Sequence, residues 1–347
     1  MTNRSSKALV DEGEDTMSLS LCDLSRRSFL GAIAAGAGAS LVRGGESTER
    51  KAQIAITLDL EMSRHYPTRG MMEWDFQKGN LDDATKRYSV EAAKITKERG
   101  GLIHFFCVGR VLEHESVEWL EEIHAGGHPI GNHTYDHVYV LAKTREEIQF
   151  RFKRSPWLIE GQEIDEVIRE NIRRVELAMG QRTDIPVNGF RTPGGFAMGL
   201  EGREDIQQML LDLGYTWASC KCPKHEYGEP MQEPSPEVYA DIVRAQAEAQ
   251  PFVYPTGLVE IPMSPISDVG AFRSTYWKLD YFLKAVRMGV EWAIENRAVF
   301  DFLAHPSCLV VEDPKFETIK LICDLVEQSN GQAEIVGLDA IAERVRA

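Results

Sequence analysis

Two acidic side chains stand two residues apart at the end of an apolar run. The predicted strand Gln53–Leu58 leads directly into Asp59 and Glu61. Residues i and i+2 of a strand point to the same side, so both carboxylates should project from one strand end. One carboxylate can then bind a metal ion while the other takes a proton from water. A strand that runs into a solvated acidic turn gives the same pattern, and this motif alone favours that simpler interpretation.

Two histidines four residues apart form the second motif. His133 and His137 lie at the end of the predicted strand Pro129–Thr134. Imidazoles at this spacing share one face of a helical turn and can bind one cation. A carboxylate from elsewhere then completes a three-residue site with open positions for water and substrate. A histidine pair by itself is more often structural, but together with Asp59 and Glu61 it predicts a metal site.

An arginine and a third histidine also stand at strand ends. Arg191 closes the predicted strand Asn188–Arg191 and precedes a Pro-Gly turn that includes Gly194. Such a turn can present a backbone N–H outward, while an arginine can hold a carboxylate ionised and oriented. His305 follows the apolar strand Val299–Ala304. Taken singly, an ordinary tight turn and a rim histidine are the simpler interpretations.

The segments between these motifs alternate between strand-like and helix-like patterns. Strands are predicted at Gln53–Leu58, Leu102–Val108, Pro129–Thr134, Asn188–Arg191, Tyr215–Ser219, Leu258–Pro262 and Val299–Ala304. Amphipathic helices are predicted at Asp83–Arg99, Val111–Ala125, Glu163–Met179, Arg203–Leu213, Tyr276–Asn296 and Lys315–Gln328. This βαβα order predicts a mostly parallel sheet, open or closed into a barrel. Ligands bind at the carboxyl ends of such strands, where the four motifs lie.

Two long excursions interrupt the alternation, at Val138–Gln162 and Pro223–Thr256. Long excursions in a compact domain are often binding loops or lids, so both are predicted to lie near the strand-end site. With 347 residues and 43% apolar composition, the chain can bury one large core, and one catalytic domain is expected.

In this order and spacing the motifs resemble those of the polysaccharide deacetylases of carbohydrate esterase family 4, the NodB-homology domain. The family motif Thr-Phe-Asp-Asp-Gly corresponds to residues 57–61, His-Ser/Thr-x-x-His to residues 133–137, Arg-x-Pro-x-Gly to residues 191–195 and Leu-x-His to residues 303–305. The resemblance covers roughly residues 52–340. It implies an α/β fold, the distorted (β/α)7 barrel of the NodB-homology type.

The resemblance also implies a function. It is the metal-dependent hydrolysis of N-acetyl groups, or O-acetyl groups, on a cell-wall or extracellular polysaccharide, with release of acetate. The metal would be Zn²⁺, with Co²⁺ or Ni²⁺ as alternatives, and an acetylated glycan would be the substrate. The implied roles are metal ligands for Glu61, His133 and His137, general base for Asp59, its orienting partner for Arg191, general acid for His305, oxyanion donor for the Gly194 N–H, and acetyl-pocket wall for Leu303.

The sequence departs from the family pattern at two places. The first motif reads Asp-Leu-Glu rather than Asp-Asp, as in a subgroup that spaces its two acids, so Asp59 and Glu61 could exchange roles. The family's Asp-Trp element is not recognisable, and the segment Tyr215–Ser219 supplies only Trp217 as an aromatic wall for substrate. An allantoinase-like cyclic amidohydrolase therefore stays open as an alternative. A non-catalytic carbohydrate-binding relative is disfavoured, because binding alone needs no positioned acid and base.

The N-terminus and the overall charge indicate where the protein works. Ser25–Leu30 contains two consecutive arginines and precedes the Ala/Gly-rich run Gly31–Val42, which resembles a twin-arginine export signal. The run is shorter than the roughly 20 residues of a transmembrane helix. Residues 1–47 are therefore predicted to be a tail and signal peptide, and residues 48–347 a catalytic domain that the twin-arginine machinery exports to the periplasm or the exterior. The net charge of −15 argues against nucleic acid as a partner.

Overall fold

Strands alternate with helices along the chain of the computed structural model. The structure describes residues 50–62, 78–148, 151–152 and 155–347. The predicted export signal and its cleavage region lie outside the described residues. Within the described ranges, no helix is long and apolar enough to cross a membrane.

One sheet contains the strands of the described chain. They are β1 (Ala52–Leu60), β2 (His104–Cys107), β3 (Ile130–Asn132), β4 (Val187–Phe196), β5 (Trp217–Lys221), β6 (Phe252–Val253), β7 (Val259–Glu260), β8 (Val299–Ala304) and β9 (Ala333–Ile335). Neighbours pair in the order β6-β7-β5-β4-β3-β2-β1-β8, and β9 pairs with the start of β1. The β6–β7 pair is antiparallel and the other pairs among these strands are parallel.

Helices connect the strands. The described α-helices are α1 (Asp83–Glu98), α2 (Glu118–Ala125), α3 (Arg145–Ile148), α4 (Ile164–Arg182), α5 (Glu204–Asp212), α6 (Pro236–Glu248), α7 (Leu279–Glu295), α8 (Pro306–Glu312), α9 (Glu317–Gln328) and α10 (Leu338–Arg346). Short 3₁₀ turns lie at Gly109–Glu113 and Pro156–Ile159, and a π-helical turn lies at Val269–Ser274. Capping residues determine where two of these helices begin. The Asp82 and Ser235 side chains cap α1 and α6 by accepting hydrogen bonds from first-turn N–H groups.

The sheet curls until its two ends meet. The segment after β7 bonds to both sides: Met263 N donates to Lys221 O at 2.8 Å, and Ser264 N donates to Asp301 O at 2.9 Å. In the part of the chain that the structure describes, the parallel strands β7-β5-β4-β3-β2-β1-β8 thus surround one interior. This arrangement confirms the predicted (β/α)7-type barrel.

Alternation along β1 divides its side chains between two environments. Ile56 and Leu58 pack in an apolar cluster with Val286 of α7. Thr57 and Asp59 point to the opposite face, into the interior of the curled sheet. All nine residues of β1 are buried, as expected for a parallel strand covered on both faces.

The interior is apolar at the amino end of the barrel, and we call this part the apolar floor. Its members are Ala55, Phe106, Trp217, Val259, Ile261, Val299, Leu338, Ile341 and Ala342. Trp217 is 5% exposed and contacts the rings of His104 and Phe106 edge-on. The sequence-based interpretation of Trp217 as a substrate wall therefore needs correction. Trp217 begins β5, so it lies at the amino end of the barrel, away from the strand ends where the site forms.

Close packing explains the glycine two residues before Arg191. Gly189 has φ +77°, and a Cβ on it would lie 1.9 Å from the Trp217 ring. We expect Gly189→Ala to lower the free energy of unfolding by about 2–4 kcal/mol, because it combines overpacking with backbone strain. Urea unfolding checks this, with Gly180→Ala as the control, since a Cβ at Gly180 in α4 meets nothing within 4 Å. Equal stabilities for the two variants would contradict the expectation.

Two predicted segments differ in the structure. The helix expected at Val111–Ala125 starts only at Glu118, because the N–H groups of Gly109 and Arg110 bond to Thr134 O and Tyr135 O, which holds this stretch in a 3₁₀ turn. The excursion Pro223–Thr256, expected as a loop, contains the 13-residue helix α6.

Candidate active site

A cavity of about 450 Å³ lies at the carboxyl ends of β1, β4 and β8. Of the residues singled out from the sequence, it is lined by Asp59, Glu61, His133, His137, Gly194, Leu303 and His305. Arg191 is fully buried and contacts Asp59. The topology explains the convergence, since the carboxyl ends of parallel strands meet at one end of the barrel.

Three possible metal ligands converge in this cavity. Oε2 of Glu61 lies 2.5 Å from Nε2 of His137 and 3.7 Å from Nε2 of His133. Their donor atoms all lie within 4.8 Å of one another, and they form the one such group in the described residues. Two imidazoles and a carboxylate suit zinc and similar divalent metals.

The histidines come together differently from the predicted helical turn. Residues 133–137 form a loop in which Thr134 and His137 both have φ 58°. Left-handed backbone is costly for a β-branched residue such as threonine, so neighbouring groups must hold it. Asn132 Oδ1 accepts from Thr134 N at 2.8 Å, and Thr134 Oγ1 accepts from Val138 N at 3.0 Å. The loop is thereby locked with both imidazoles facing Glu61.

Protonation states in the cluster suit metal binding. Burial would raise the pKa of Glu61, but Lys78, His137 and His305 hold it well below its usual range. Burial and Lys78 lower the pKa of His137 to about 4. Nδ1 of His133 lies 3.0 Å from Arg191 O, which can only accept, so Nδ1 carries a proton and Nε2 is the ring nitrogen that faces Glu61. An anionic carboxylate and neutral imidazoles are what a metal requires, so these residues fit a divalent ion.

Arg191 joins the candidate base to a second buried carboxylate. Its Nη1 lies 3.2 Å from Asp59 Oδ1 and donates to Thr57 Oγ1 at 2.7 Å. Its Nη2 donates to Asp301 Oδ2 at 2.6 Å. The guanidinium also stacks over the Phe106 ring, 4.4 Å from its centre. Arg191 thus contacts Asp59, whereas Glu61 lies with the imidazoles, so the two acids have different partners.

Asp301 forms the shorter of the two ion pairs of Arg191. Its side chain is fully buried on β8, and its Oδ1 accepts from Thr57 Oγ1 at 2.8 Å. Burial raises the pKa of Asp301 to about 6, against the opposing effects of Arg191 and Thr57. One guanidinium is therefore shared between two buried carboxylates.

His305 has the partner that the sequence did not reveal. Its Nδ1 lies 2.9 Å from Asp268 Oδ1, and its backbone N donates to Asp268 Oδ2 at 2.8 Å. Its Nε2 faces the cavity, 3.1 Å from Glu61 Oε1. Burial would lower the pKa of His305, but the charges of Asp268 and Glu61 outweigh burial and raise it well above its usual value. Asp268 therefore orients His305 and favours its protonated form.

Three residues of this site escaped the sequence reasoning: Lys78, Asp268 and Asp301. A signal for Asp301 existed, since an acid inside the apolar strand Val299–Ala304 shares a face with Leu303 and His305. Asp268 lies in the loop after β7 and Lys78 lies just before α1, and neither residue belongs to a recognisable sequence motif.

The two excursions differ in their relation to the cavity. Tyr227, from Pro223–Thr256, is among its lining residues. Val138, Val140 and Ile148 of the other excursion instead pack with Phe190 in a separate apolar cluster. The second excursion thus contributes a residue to the cavity, in line with its predicted position near the site.

Comparisons with known proteins agree with this picture. Residues 80–218 match the model of the polysaccharide deacetylase family, a span that includes His133, His137 and Arg191. A comparison with curated proteins gave no match.

Among solved structures, the chain resembles a protein from Mycobacterium smegmatis named as a polysaccharide deacetylase, with 15% identity, a TM-score of 0.57, and coverage of 86% of this chain and 92% of the other. A protein from Pseudomonas aeruginosa PAO1 named as a probable polysaccharide deacetylase has 13% identity and a TM-score of 0.52, with coverage of 84% and 89%. Puue allantoinase has 11% identity and a TM-score of 0.52, with coverage of 85% and 91%. Likeness at such identities shows the fold alone. Residues 80–218 are thus similar to the polysaccharide deacetylase family, and the chain shares the fold of these solved structures.

Proposed function

We propose that the protein is a metal-dependent hydrolase that removes N-acetyl groups from a cell-wall or extracellular glycan and releases acetate. One observation carries the proposal: Glu61, His133 and His137 converge beside Asp59 and His305 in one cavity. The polysaccharide deacetylase match over residues 80–218 supports the choice of substrate class. O-acetyl groups present the same carbonyl and are a second substrate of the proposed chemistry.

Glu61, His133 and His137 would hold the metal ion. When bound, a divalent cation such as Zn²⁺ supplies Lewis acidity, which polarises an amide carbonyl and lowers the pKa of water. Co²⁺ and Ni²⁺ accept similar donors and would serve the same ligands.

Asp59 is the proposed general base. Its Oδ1 is held by Arg191 at 3.2 Å, while its Oδ2 lies 3.7 Å from Nε2 of His133. The oxygen next to the ligand cluster is therefore the one that takes a proton from the attacking water. That water's oxygen bonds to the acetyl carbon, and Arg191 keeps the carboxylate in one orientation as it does so.

His305 is the proposed general acid. Asp268 holds its Nδ1, so its Nε2 can donate a proton to the nitrogen as the C–N bond breaks, leaving a free amine and acetate. The wall beside it is apolar, with Leu303, Met62 and Met263 lining the cavity, and such a wall suits an acetyl methyl group. Gly194 lines the same cavity, and its N–H is the proposed donor to the developing oxyanion.

The Asp268–His305 pair leads to a testable expectation. Asp268→Asn removes the charge that orients His305 and keeps it protonated. We expect kcat to fall about 10- to 100-fold, a part of the contribution of a general acid. Steady-state acetate release measures kcat, and zinc analysis of the same sample serves as the control. A variant with full kcat would show that His305 needs no partner.

Export by the twin-arginine route belongs to the same proposal. A glycan substrate outside the cytoplasm requires a secreted enzyme, and the paired arginines within Ser25–Leu30 offer the signal. Fusing residues 1–47 to a reporter, with Arg26→Lys and Arg27→Lys as the paired control, tests export directly.

Acetate release is the deciding experiment for the activity. Purified protein loaded with zinc is incubated with chitooligosaccharides, peptidoglycan and O-acetylated xylan, and acetate is quantified. The matched control is the Asp59→Asn variant, which removes the base and keeps Glu61, His133 and His137. Allantoin is included as a cyclic amide.

The outcomes separate the candidate functions. Acetate from a glycan with the wild type, and none with Asp59→Asn, supports the proposal. Ring opening of allantoin without acetate release would replace it with cyclic amide hydrolysis. Glycan binding without turnover of any substrate would overturn it in favour of a binding protein.

A further inference from the structure

A buried lysine lies against the proposed metal ligands. Lys78 is 2% exposed, and its Nζ lies 2.6 Å from Glu61 Oε2 and 3.3 Å from His137 Nε2. It lines the same cavity as the ligands. The proposed mechanism gives this ammonium no role.

The backbone next to Lys78 fixes its position. Gly79 N donates to Glu61 O at 2.6 Å, so the two segments are joined directly beside the ligand. Gly79 has φ +84°, and a Cβ on it would lie 2.3 Å from the Cβ of Arg110. His114 Nε2 lies 2.8 Å from Gly79 O, which adds a further tie. These contacts of Gly79 hold the turn in place, so that Lys78 lies beside Glu61.

The ammonium and a metal ion would use the same two atoms. A zinc ion lies about 2.0–2.2 Å from a carboxylate oxygen and from an imidazole nitrogen. An ion bound to Glu61 Oε2 and His137 Nε2 would therefore lie against Nζ of Lys78, whose positive charge repels it in a buried site. Both cations cannot hold these positions together.

We propose that Lys78 is an internal cation that competes with the metal for Glu61 and His137 and must swing away when the metal binds. The inference rests on the metal ligands of the proposed function. Lys78 would then weaken metal binding, because the free energy of displacing Lys78 is subtracted from that of binding the metal. Lys78 also offsets the buried charge of Glu61 while no metal does.

Metal affinity tests the competition without any substrate. Full-length protein is stripped with a chelator, and Zn²⁺ is titrated against a competing chelating dye. We expect Lys78→Met, which keeps the length of the side chain, to bind zinc at least about 10-fold more tightly than the wild type. Lys94→Met is the matched control, because Lys94 is an exposed lysine of α1, and it should leave the affinity unchanged.

A second measurement guards against poor folding of the variant. We expect zinc to raise the melting temperature of Lys78→Met by more than it raises that of the wild type, because bound metal replaces the lost cation. Lys78→Gln gives a second neutral side chain if Lys78→Met is poorly soluble.

The outcomes distinguish this inference from the proposed function. Zinc binding by the wild type with equal or weaker binding by both neutral variants would overturn the role of Lys78 alone. Absence of zinc binding in the wild type and in every variant would overturn both the inference and the metal ligand assignment.

Discussion

Asp59→Asn should lower kcat/KM for acetate release by about 10³-fold, because an amide cannot take the proton of the attacking water. The substitution keeps the shape of the side chain and its contact with Arg191. Glu61, His133 and His137 remain, so zinc affinity should stay close to that of the wild type. Acetate release and zinc titration on the same preparation check both expectations.

The controls decide between the two spaced carboxylates. Asp83→Asn, at an exposed site in the first turn of α1, should leave activity and zinc affinity unchanged. Glu61→Gln should weaken zinc binding, as expected for a ligand. If Glu61→Gln instead keeps the metal and loses turnover, while Asp59→Asn loses the metal, the two acids have exchanged roles.

Arg191→Met should lower the free energy of unfolding by about 3–5 kcal/mol near neutral pH, because it leaves buried carboxylates without their cation. Arg191 is fully buried and bonds to both Asp59 and Asp301. Urea unfolding measures the loss. The double variant with Asp301→Asn should recover part of the stability and none of the activity, since Asp59 stays without its orienting partner.

The pH dependence of the same variant has a definite sign. The pKa of Asp301 is raised to about 6 even with Arg191 present, and Arg191 opposes that rise. Without Arg191 the pKa should be higher still. A carboxyl group whose pKa is raised in the folded state binds more protons folded than unfolded, so stability increases as pH falls through the raised pKa. The defect of Arg191→Met should therefore shrink from pH ~8 to pH ~5.5, and a defect that grows on acidification would contradict this account.

The sequence could predict those site residues that lie at the carboxyl ends of parallel strands. Asp59, His133, Arg191 and His305 each follow or end an apolar strand, and parallel strands bring such ends together. Trp217 was beyond this reasoning, because the predicted strand Tyr215–Ser219 places it in mid-strand, whereas β5 begins at Trp217. Asp301 was within reach of the period-2 pattern of β8.

Other features depend on contacts that no local pattern encodes. Asp268 meets His305 because the chain after β7 crosses to β8, which is a tertiary contact. Asn132 and Asn171 hold the loop that carries the two histidines. Asn171 lies on α4, and its Oδ1 accepts a hydrogen bond from Asp136 N at 2.8 Å. A helical turn was the reasonable local expectation, and the tertiary hydrogen bonds override it.

Arg191 serves the site through two different parts of one residue. Its carbonyl oxygen accepts a hydrogen bond from His133 Nδ1 at 3.0 Å, while its side chain contacts Asp59 at 3.2 Å. One residue of β4 therefore contacts both a proposed metal ligand and the proposed base. We therefore expect a displacement of β4 to move His133 and Asp59 together, which would keep the spacing between them nearly constant. Changes in the surrounding loops would then leave the proposed ligand and the proposed base aligned with each other.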